Sequence, residues 1–579
     1  MCLHQQHLDT EQQDEFSSEK SSGHCYDENI LEDLTRSLQQ CQYREGYSYI
    51  STYNIQNPRD DHVVAGNPYA GEEIIGFRMG MLPSMQPNLF LAVKAMIMAR
   101  LQVFVGLRIE FGCGSVGYAL EEGKDTADTR HRYRPHIVKI SSLLASNVCN
   151  PITEAPHHKK ATLKVVHKHG PCSHLNQLGD QKMSASDEIK LLEQDQLRVN
   201  SIHSQLSKRS GDPGFRGPKS TKSAIPVRSG QTIGSGNYIV TVGLGTPKKQ
   251  LSLVLDTGSA LSWTQCEPCV RYCYAQKEPI FKPLESTSYA NVSCASELCN
   301  ALESTTGVSP GCITSTCEYG VQYGDNSYSV GYLSKERLTL TSSDVIENFY
   351  FGCGQNNRGL FRGAAGLLGL SRDRLSLIFQ SGKKYGRYFS YCLPSSRSST
   401  GFLSFGYRRP RKAFKFTPLS SLTKDTQFYG LDMTGISVGG KTLPITASVF
   451  SKAGTVIDSG TVITRLPPKA YDAVRKAFRQ LMSDYKAAQS YSILDTCYDF
   501  TGVESVFVPK ISFFFSGGVE VEVDVSGIIY AVSQSQVCLA LAGNGDDSDV
   551  GIFGNFQHLK WEVAYDVGKE RVGFSPSAC

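Results

Sequence analysis

The chain has 579 residues, of which 40% are hydrophobic and 20% are charged, and its formal net charge is +4. The length predicts more than one domain, and the composition excludes wholesale disorder and a fibrous fold. So small a net charge gives no reason by itself to expect a nucleic-acid partner. The 53 Gly, 28 Tyr and 27 Phe residues favour a β-rich protein with many turns.

The first region, residues 1–156, has a mixed composition and contains no repeat or motif that indicates a function. Its opening sequence, MCLHQQHLDTEQQDEF, is polar and acidic, which is not typical of a secretory signal peptide. An apolar stretch at 89–109 is interrupted by Lys94, Arg100 and Arg108. It therefore predicts a helix of unassigned role, or a displaced targeting segment, rather than a transmembrane anchor.

The second region, residues 157–232, is basic and predicts one helix followed by a linker. In the segment ASDEIKLLEQDQLRVNSIHSQLSKR, one mostly apolar helical face consists of Ile189, Leu192, Gln196, Val199 and Ile202. The linker SGDPGFRGPKSTKSA is rich in Gly, Pro, Ser and Lys. Such a composition stays extended and exposed, which suits proteolytic cleavage.

Two β-rich regions follow, at 233–415 and 416–579. Short apolar runs broken by glycine predict strands, such as QLSLVLDTGSALSW in the first region and TVIDSGTVITRLP in the second. One helix is predicted at Pro468–Tyr485, with a proline near its start. Each region also contains an apolar triplet with D-[ST]-G, followed at a similar distance by two apolar residues and a glycine. This internal repeat predicts two lobes of one design.

The repeat places one carboxylate, Asp256 or Asp458, at the end of a buried strand in each lobe. The glycine two positions later allows a sharp turn and a close approach of backbone N–H groups to the carboxylate. Two such loops facing each other would hold two carboxylates side by side with one shared proton. The charged member takes a proton from a bound water while the protonated member donates to a carbonyl oxygen, which hydrolyses peptide bonds in acid. A single Asp-x-Gly is most often only a turn, but the matched pair makes that interpretation a poor one.

Seven longer motifs occur within residues 234–579: VLDTGSALSW, QCEPCVRYCY, VQYGDNSYSVGYL, FGCGQNNRGLF, AAGLLGLSR, VIDSGTVITRLP and IFGNFQHLKWEVAYDVGKERVGFSPSAC. Together they resemble the pepsin-like aspartic proteases, specifically the nepenthesin-type plant branch. The resemblance implies an all-β, or mainly β, bilobal fold with two lobes like six-stranded barrels, a few short helices, and a substrate cleft between the lobes. It also implies an aspartic endopeptidase that uses no metal or other cofactor, works in acid and is made as a zymogen.

The resemblance assigns roles to the residues of the two loops. Asp256 and Asp458 match the catalytic pair of the family. Its other loop positions match Thr257, Gly258, Ser259, Ser459, Gly460 and Thr461. Among these, the resemblance implies that the hydroxyls of Thr257 and Ser459 lock the two loops together. The hydroxyls of Ser259 and Thr461 are implied to bond the outer carboxylate oxygens.

A third motif resembles the flap hairpin that closes over substrate in this family. Tyr323, Gly324 and Asp325 match the flap, and Trp263 matches the tryptophan whose ring N–H bonds the flap tyrosine. Asn326 stands where glycine is usual. Asparagine tolerates positive φ better than most residues, so the turn is expected to form.

Twelve of the 18 cysteines lie from Cys266 onward, and seven of these crowd into residues 266–317. In an oxidising compartment this pattern predicts a disulfide framework. Zinc binding by the closely spaced cysteines is the alternative, but a second pair of ligands at standard spacing is lacking. The resemblance implies the pairs Cys266–Cys269, Cys273–Cys353, Cys294–Cys317, Cys299–Cys312, Cys392–Cys579 and Cys497–Cys538. A sequon predicts glycosylation at Asn291 and favours a secretory route.

Residues 157–232 are interpreted as a propeptide. The resemblance implies a basic segment that covers the cleft and neutralises the carboxylates with a lysine. The run LKVVHKHG is expected to add a strand and to bring Lys164 or Lys168 near the cleft, with an ordinary basic surface strand as the alternative. Acid protonates carboxylates and weakens such contacts, which gives a route to self-activation.

The predicted substrates are proteins or peptides, acted on by a monomer that is secreted to the apoplast or sent to the vacuole, with the chloroplast as the alternative location. Two other functions stay open. The first is an inactive relative that binds and inhibits other enzymes, which the two intact D-[ST]-G motifs disfavour. The second is accessory DNA binding through the basic runs at 157–160, 381–387 and 407–412, although no groove-reading motif is visible.

Overall fold

The computed structural model describes residues 136–143, 146–151, 161–176, 185–209, 238–323, 327–359, 361, 363–407, 413–423, 426–576 and 579. The apolar stretch at 89–109 and the linker at 210–224 lie outside the described residues, as does most of the first region.

Strands dominate the described part of the chain. Those that precede residue 410 are β1 (His136–Lys139), β2 (Thr162–His167), β3 (Tyr238–Leu244), β4 (Lys249–Asp256), β5 (Trp263–Gln265), β6 (Ala290–Asn291), β7 (Gly311–Ile313), β8 (Thr316–Gln322), β9 (Tyr328–Thr339), β10 (Val345–Arg358), β11 (Gly366–Gly369), β12 (Tyr388–Cys392) and β13 (Thr400–Phe405). Those that follow are β14 (Lys415–Pro418), β15 (Tyr429–Leu431), β16 (Met433–Val438), β17 (Lys441–Thr442), β18 (Thr455–Asp458), β19 (Thr464–Leu466), β20 (Lys486–Ala488), β21 (Cys497–Asp499), β22 (Ser505–Val508), β23 (Ile511–Phe515), β24 (Val519–Glu522), β25 (Ile529–Ala531), β26 (Gln536–Leu539), β27 (Leu541–Gly543), β28 (Gly551–Gly554), β29 (Trp561–Asp566) and β30 (Arg571–Pro576).

The described helices are short, with two exceptions, α2 and α8. They are α1 (Ile140–Leu143), α2 (Ala185–Arg209), α3 (Glu297–Asn300), α4 (Leu302–Thr306), α5 (Leu377–Gln380), α6 (Gly382–Tyr385), α7 (Ala447–Ser451), α8 (Pro468–Leu481) and α9 (Val525–Ile528). Single 3₁₀ turns lie at Pro283–Glu285, Ser421–Thr423, Asn555–His558 and Val567–Lys569. The mainly β fold is confirmed, and the predicted helix at Pro468–Tyr485 corresponds to α8, which ends four residues earlier.

One fifteen-stranded sheet links the two β-rich regions. Its order is β14-β30-β29-β12-β13-β2-β3-β4-β11-β5-β10-β9-β8-β7, with β6 beside β9. Three smaller sheets, β15-β18-β28-β19-β27, β17-β16-β23-β24 and β20-β21-β26-β25, complete the second region. Since strands of both regions belong to the large sheet, this sheet connects the two lobes.

The internal repeat has a direct structural counterpart. In the first lobe β4 runs parallel to β11, so that Asp256 lies opposite Gly369. In the second lobe β18 runs parallel to β28, so that Asp458 lies opposite Gly554. In each lobe a further strand, β5 or β19, pairs antiparallel with the same partner. Each carboxylate therefore ends a strand whose parallel neighbour pairs in turn with a further antiparallel strand.

Two segments that precede the first lobe in sequence are built into the fold. Strand β2 inserts between β13 and β3, so that Val165 pairs with both Gly401 and Val240. Strand β1 pairs antiparallel with β22 of the second lobe. The run LKVVHKHG thus does add a strand, and part of the first region packs on the second lobe.

The disulfide pairing differs from the one implied by resemblance at four of six bridges. The observed pairs are Cys149–Cys172, Cys266–Cys353, Cys269–Cys273, Cys294–Cys312, Cys299–Cys317, Cys392–Cys579 and Cys497–Cys538. The implied pairs Cys266–Cys269, Cys273–Cys353, Cys294–Cys317 and Cys299–Cys312 are wrong. Because Cys266, Cys269 and Cys273 all lie in disulfides, their thiols are not available for the zinc alternative.

Strand register explains the first exchange of partners, and burial explains the second. Cys266 directly follows β5, which runs parallel to β10, and Cys353 lies in β10 opposite Thr264. In the other exchanged set, Cys299 and Cys317 are both buried in one apolar cluster, whereas Cys312 is exposed on β7. Spacing along the chain carries none of this information.

Tryptic mapping without reduction distinguishes the two pairings. Trypsin cuts after Lys249, Arg271, Lys277, Arg337 and Arg358, which places the relevant cysteines on the peptides 250–271, 272–277 and 338–358. The observed pairing joins all three peptides into one disulfide-linked species. The rival pairing would release 250–271 with an internal bridge and leave the other two as a pair. We expect the three-peptide mass, which collapses to single peptides on reduction.

Candidate active site

The two carboxylates predicted from the repeat face each other at the ends of β4 and β18. The apolar triplets that precede them are buried, so each strand end is fixed by packing. Asp256 and Asp458 are themselves fully buried, with 0% of each residue exposed. The fold therefore brings together two acids that are 202 residues apart in the chain.

Each loop supplies the same two donors to its own carboxylate. The Gly258 amide donates to Oδ1 of Asp256 over 2.9 Å, and the Ser259 hydroxyl donates to Oδ2. In the other loop the Gly460 amide and the Thr461 hydroxyl donate to Asp458 over 3.2 and 2.6 Å. These hydrogen bonds orient each carboxylate.

The two loops are also joined to each other by a reciprocal pair of hydrogen bonds. The Thr257 amide donates to the Ser459 hydroxyl over 3.0 Å, and the Ser459 amide donates to the Thr257 hydroxyl over 2.8 Å. All four groups are buried, so each backbone N–H depends on the opposite loop for its partner.

Glycine is required in both loops because of close approach. A Cβ atom at Gly258 would lie 2.8 Å from Oδ1 of Asp458 and 2.6 Å from Nη2 of Arg198. A Cβ atom at Gly460 would lie 2.2 Å from the same Nη2. Because glycine has no Cβ atom, the space between the carboxylates stays free for another group to bind.

The flap assignment is partly described. The ring N–H of Trp263 donates to the Tyr323 hydroxyl over 2.7 Å, and both side chains are buried. Burial raises the pKa of Tyr323 well above its ordinary value, so this phenol stays protonated. Gly324, Asp325 and Asn326 lie outside the described residues.

The space between the carboxylates is occupied by Arg198, from the middle of α2. Its Nη2 donates to Oδ1 of Asp256 over 2.6 Å and to Oδ1 of Asp458 over 2.8 Å. Its Nε donates to Oδ2 of Asp458 over 2.7 Å, and its Nη1 reaches Oδ2 of Asp256 over 3.2 Å. A planar guanidinium satisfies four carboxylate oxygens at once, which a lysine ammonium does not.

This contact fixes the charge states of its members. Burial alone would raise the pKa of Asp458, but Arg198, with hydrogen bonds from Thr461 and the Gly460 amide, lowers it below its ordinary value of 3.8. Burial alone would lower the pKa of Arg198, but the two carboxylates raise it above its ordinary value. Both shifts favour the charged forms of Asp458 and Arg198, which are paired in a desolvated site.

The sequence predicts that Lys164 or Lys168 neutralises the carboxylates, but the cation that contacts them is Arg198. Lys164 is exposed on β2, and the buried Lys168 follows that strand. The sequence pattern of α2 contains a signal for Arg198, because Asp195 and Arg198 lie among the apolar positions of the helix that face inward. Charged residues on the buried face of an amphipathic helix indicate specific partners.

Helix α2 is anchored along its length by further contacts with the second lobe. Leu192 packs in one apolar cluster of that lobe, and Val199 and Ile202 pack in another. Asp195 forms a buried ion pair with Arg465 over 3.1 Å. The ring Nε2 of His203 lies 2.9 Å from the carbonyl oxygen of Val550. The helix therefore lies in the cleft as a packed element.

Three other expectations concern the periphery of the site. Asn291 is exposed on β6, and its side-chain oxygen accepts a hydrogen bond from Tyr289, so its glycosylation stays a prediction. Among the described residues, no three His, Cys, Asp or Glu side chains are arranged to hold a metal ion. None of the described helices has the length and apolar character of a membrane span.

The reciprocal lock between the loops makes a stability prediction. Ser459→Ala removes the acceptor of the buried Thr257 amide, which we expect to lower the free energy of unfolding by about 1–3 kcal/mol. Denaturant unfolding with the disulfides intact measures the change. Ser304→Ala, which removes only an exposed local hydrogen bond, is the control and is expected to stay within about 0.5 kcal/mol of the unchanged chain. Equal effects of the two variants would show that the lock contributes nothing.

Two family models match the sequence of this chain. The xylanase inhibitor N-terminal family matches residues 238–407, and the xylanase inhibitor C-terminal family matches residues 428–576. Among solved structures, basic 7S globulin from soybean is similar with a TM-score of 0.47 and 21% identity, over 59% of this chain and 91% of that one.

Curated relatives are more similar. An aspartyl protease family protein of Arabidopsis thaliana is 54% identical over 77% of this chain and 93% of its own length. The aspartyl protease AED1 of Arabidopsis thaliana is 49% identical over 81% and 97%. The aspartic proteinase nepenthesin-2 of Nepenthes gracilis is 36% identical over 67% and 89%. The chain therefore belongs to the pepsin-like aspartyl proteases, in the nepenthesin-type plant branch, and is an aspartic endopeptidase.

Proposed function

We propose that the chain is the zymogen of an acid endopeptidase in which Asp256 and Asp458 activate one water between them. The observation that carries this proposal is the position of Arg198, whose guanidinium occupies the space between the two carboxylates. Without that cation the two buried carboxylates need another compensating charge, which a shared proton supplies. The helix that carries Arg198 thus blocks a cleft in which the two carboxylates and their hydrogen-bond donors are already in position.

The proposed chemistry requires one proton on the pair after Arg198 has left. Two carboxylates within reach of one guanidinium cannot both stay ionised without it, so one of them takes up a proton. The ionised member then accepts a proton from the water as that water attacks the scissile carbonyl carbon. The protonated member donates to the carbonyl oxygen, and a proton passes to the leaving nitrogen as the C–N bond breaks. No covalent intermediate forms.

Residues 157–232 serve as the propeptide in this proposal. Strand β2 and helix α2 both belong to it, and the linker that follows supplies a site for cleavage. The bridge Cys149–Cys172 connects it to residues before 157, so the inhibitory segment extends further toward the N-terminus than the sequence predicts. Seven bridges favour an oxidising compartment, either the extracellular space or the vacuole.

The dyad is tested by the pH profile of cleavage. The full chain is activated in acid and assayed on a protein substrate beside its Asp256→Asn and Asp458→Asn forms, with fluorescence and non-reducing electrophoresis as checks of folding. We expect cleavage with an acid optimum in the unchanged chain and a loss of at least about 1,000-fold in each variant. A folded, propeptide-free chain that cleaves nothing would instead favour the inhibitor function. Retention on DNA that depends on salt would favour the accessory binding.

The inhibitory role of Arg198 predicts a shift in the pH of activation. Because the pKa of Asp458 lies below its ordinary 3.8, its contact with Arg198 is favoured above that pH and is lost as the pH falls through the lowered value. The unchanged chain should therefore stay blocked at about pH 5. Arg198→Met leaves the carboxylates without a cation and should activate there.

Three matched variants test this shift. Lys190→Met removes a charge from the exposed face of the same helix and should behave like the unchanged chain. The double variant Arg198→Met, Asp256→Asn should stay inert, which assigns any gained activity to the dyad. Activation of Arg198→Met only at the pH of the unchanged chain would remove Arg198 from the inhibitory role.

A further inference from the structure

A second polar contact lies beside the dyad, between α2 and the second lobe. The Asp195 carboxylate accepts hydrogen bonds from the backbone amides of Val462 and Ile463 over 2.6 and 3.1 Å. Nη2 of Arg465 donates to the same carboxylate over 3.1 Å. Both charged side chains are fully buried. Two backbone donors and a guanidinium converging on one carboxylate form a built anion site.

The half of this site that belongs to the enzyme is held in place without the helix. Arg465 lies in β19, and its Nη1 donates to the Ile463 carbonyl oxygen over 2.7 Å, which fixes the guanidinium. Its Nε has no partner among the described residues. When α2 leaves, the lobe retains a guanidinium that is fixed by the Ile463 carbonyl and two oriented N–H groups that have lost the Asp195 carboxylate. These donors match the geometry and charge of a carboxylate, so the site favours a new carboxylate in that place.

The position of this site relative to the dyad indicates which part of a substrate would bind to it. The segment that contains Val462, Ile463 and Arg465 directly follows Thr461, whose hydroxyl binds Asp458. On the helix, Asp195 and Arg198 are three residues apart, and side chains at that spacing lie about 5–6 Å apart. In an extended peptide, side chains on one face recur every two residues, about 7 Å apart. A substrate side chain two residues from the scissile bond therefore spans a comparable distance, and one three residues away spans a somewhat longer one.

We propose that Arg465, with the amides of Val462 and Ile463, forms a subsite for an Asp or Glu side chain of the substrate, two or three residues from the scissile bond. In the precursor the carboxylate of Asp195 occupies this subsite as a mimic of that side chain. The inference rests on the proposed function, since it requires a cleft from which α2 has been removed. It makes acidic peptides the preferred substrate class of this protease.

The subsite is tested with matched peptide pairs and the acid-activated full chain. Each pair is identical except for Asp or Asn at one position, which is scanned over the residues on both sides of the scissile bond. The assay is run at about pH 5, where a peptide Asp is ionised. At one position we expect kcat/KM to favour Asp by about 10- to 100-fold, the range for a buried charge-assisted hydrogen-bond set. The preference should vanish as the pH falls below the pKa of that Asp.

Arginine variants assign the preference to this site. In Arg465→Met the ratio of kcat/KM for Asp over Asn should fall to about 1, and in Arg465→Lys it should be intermediate, because the ammonium retains the charge without the planar fork. Arg479→Met, which removes an exposed arginine of α8, should keep the ratio of the unchanged chain.

Two failures of this experiment are distinguishable. If no peptide of either kind is cleaved, the proposed function fails. If Asp and Asn peptides are cleaved equally at every position by the unchanged chain, the subsite is overturned while the protease stands, and this comparison holds even if Arg465→Met does not fold. A preference for Asp that persists in folded Arg465→Met would also overturn the assignment.

Discussion

The structure depends on burying two carboxylates next to each other. Neither can be ionised there without compensation, since desolvation and mutual repulsion act in the same direction. Here the compensation is one guanidinium, whose three nitrogens meet four oxygens of Asp256 and Asp458. The same requirement can be met by a proton and a water. The guanidinium and the water cannot occupy the same space. The cleft therefore has two alternative states, one blocked by Arg198 and one that holds a proton and a water.

The rest of the fold keeps Asp256 and Asp458 buried next to each other, although their burial is unfavourable. Each carboxylate lies at the end of a β-strand that has a parallel neighbour, and this arrangement occurs once in each lobe. The reciprocal contacts of Thr257 and Ser459 then couple the two copies, so that neither loop can relax alone. Asp256 ends a strand of the fifteen-stranded sheet and Asp458 ends a strand of a separate five-stranded sheet, so these contacts join two sheets. Pre-organised donors of this kind cost no rearrangement when charge moves during a reaction.

Sequence reasoning predicted what local motifs encode and missed what depends on pairing at a distance. The loops around Asp256 and Asp458 were predicted because strand, glycine and hydroxyl lie within a few residues of each other and occur twice. The cysteine partners were not, because strand register brings Cys266 to Cys353 across 87 positions. Arg198 was not predicted because it lies outside the basic runs of the sequence. A lone arginine on the buried face of a helix is the stronger signal, since burial demands a partner whereas a basic run is usually solvated.

The order of charges along α2 gives its docking a direction. Asp195 meets a cation and Arg198 meets two anions, and the two residues are less than one helical turn apart. Sliding the helix by one turn, or reversing it, would bring Asp195 toward the carboxylates, where like charges repel in a desolvated site. Leu192, Val199 and Ile202 stabilise the docked helix but would tolerate such shifts better, since apolar contacts are not directional. Packing therefore holds the helix in the cleft, and the two ion contacts of opposite polarity set its register.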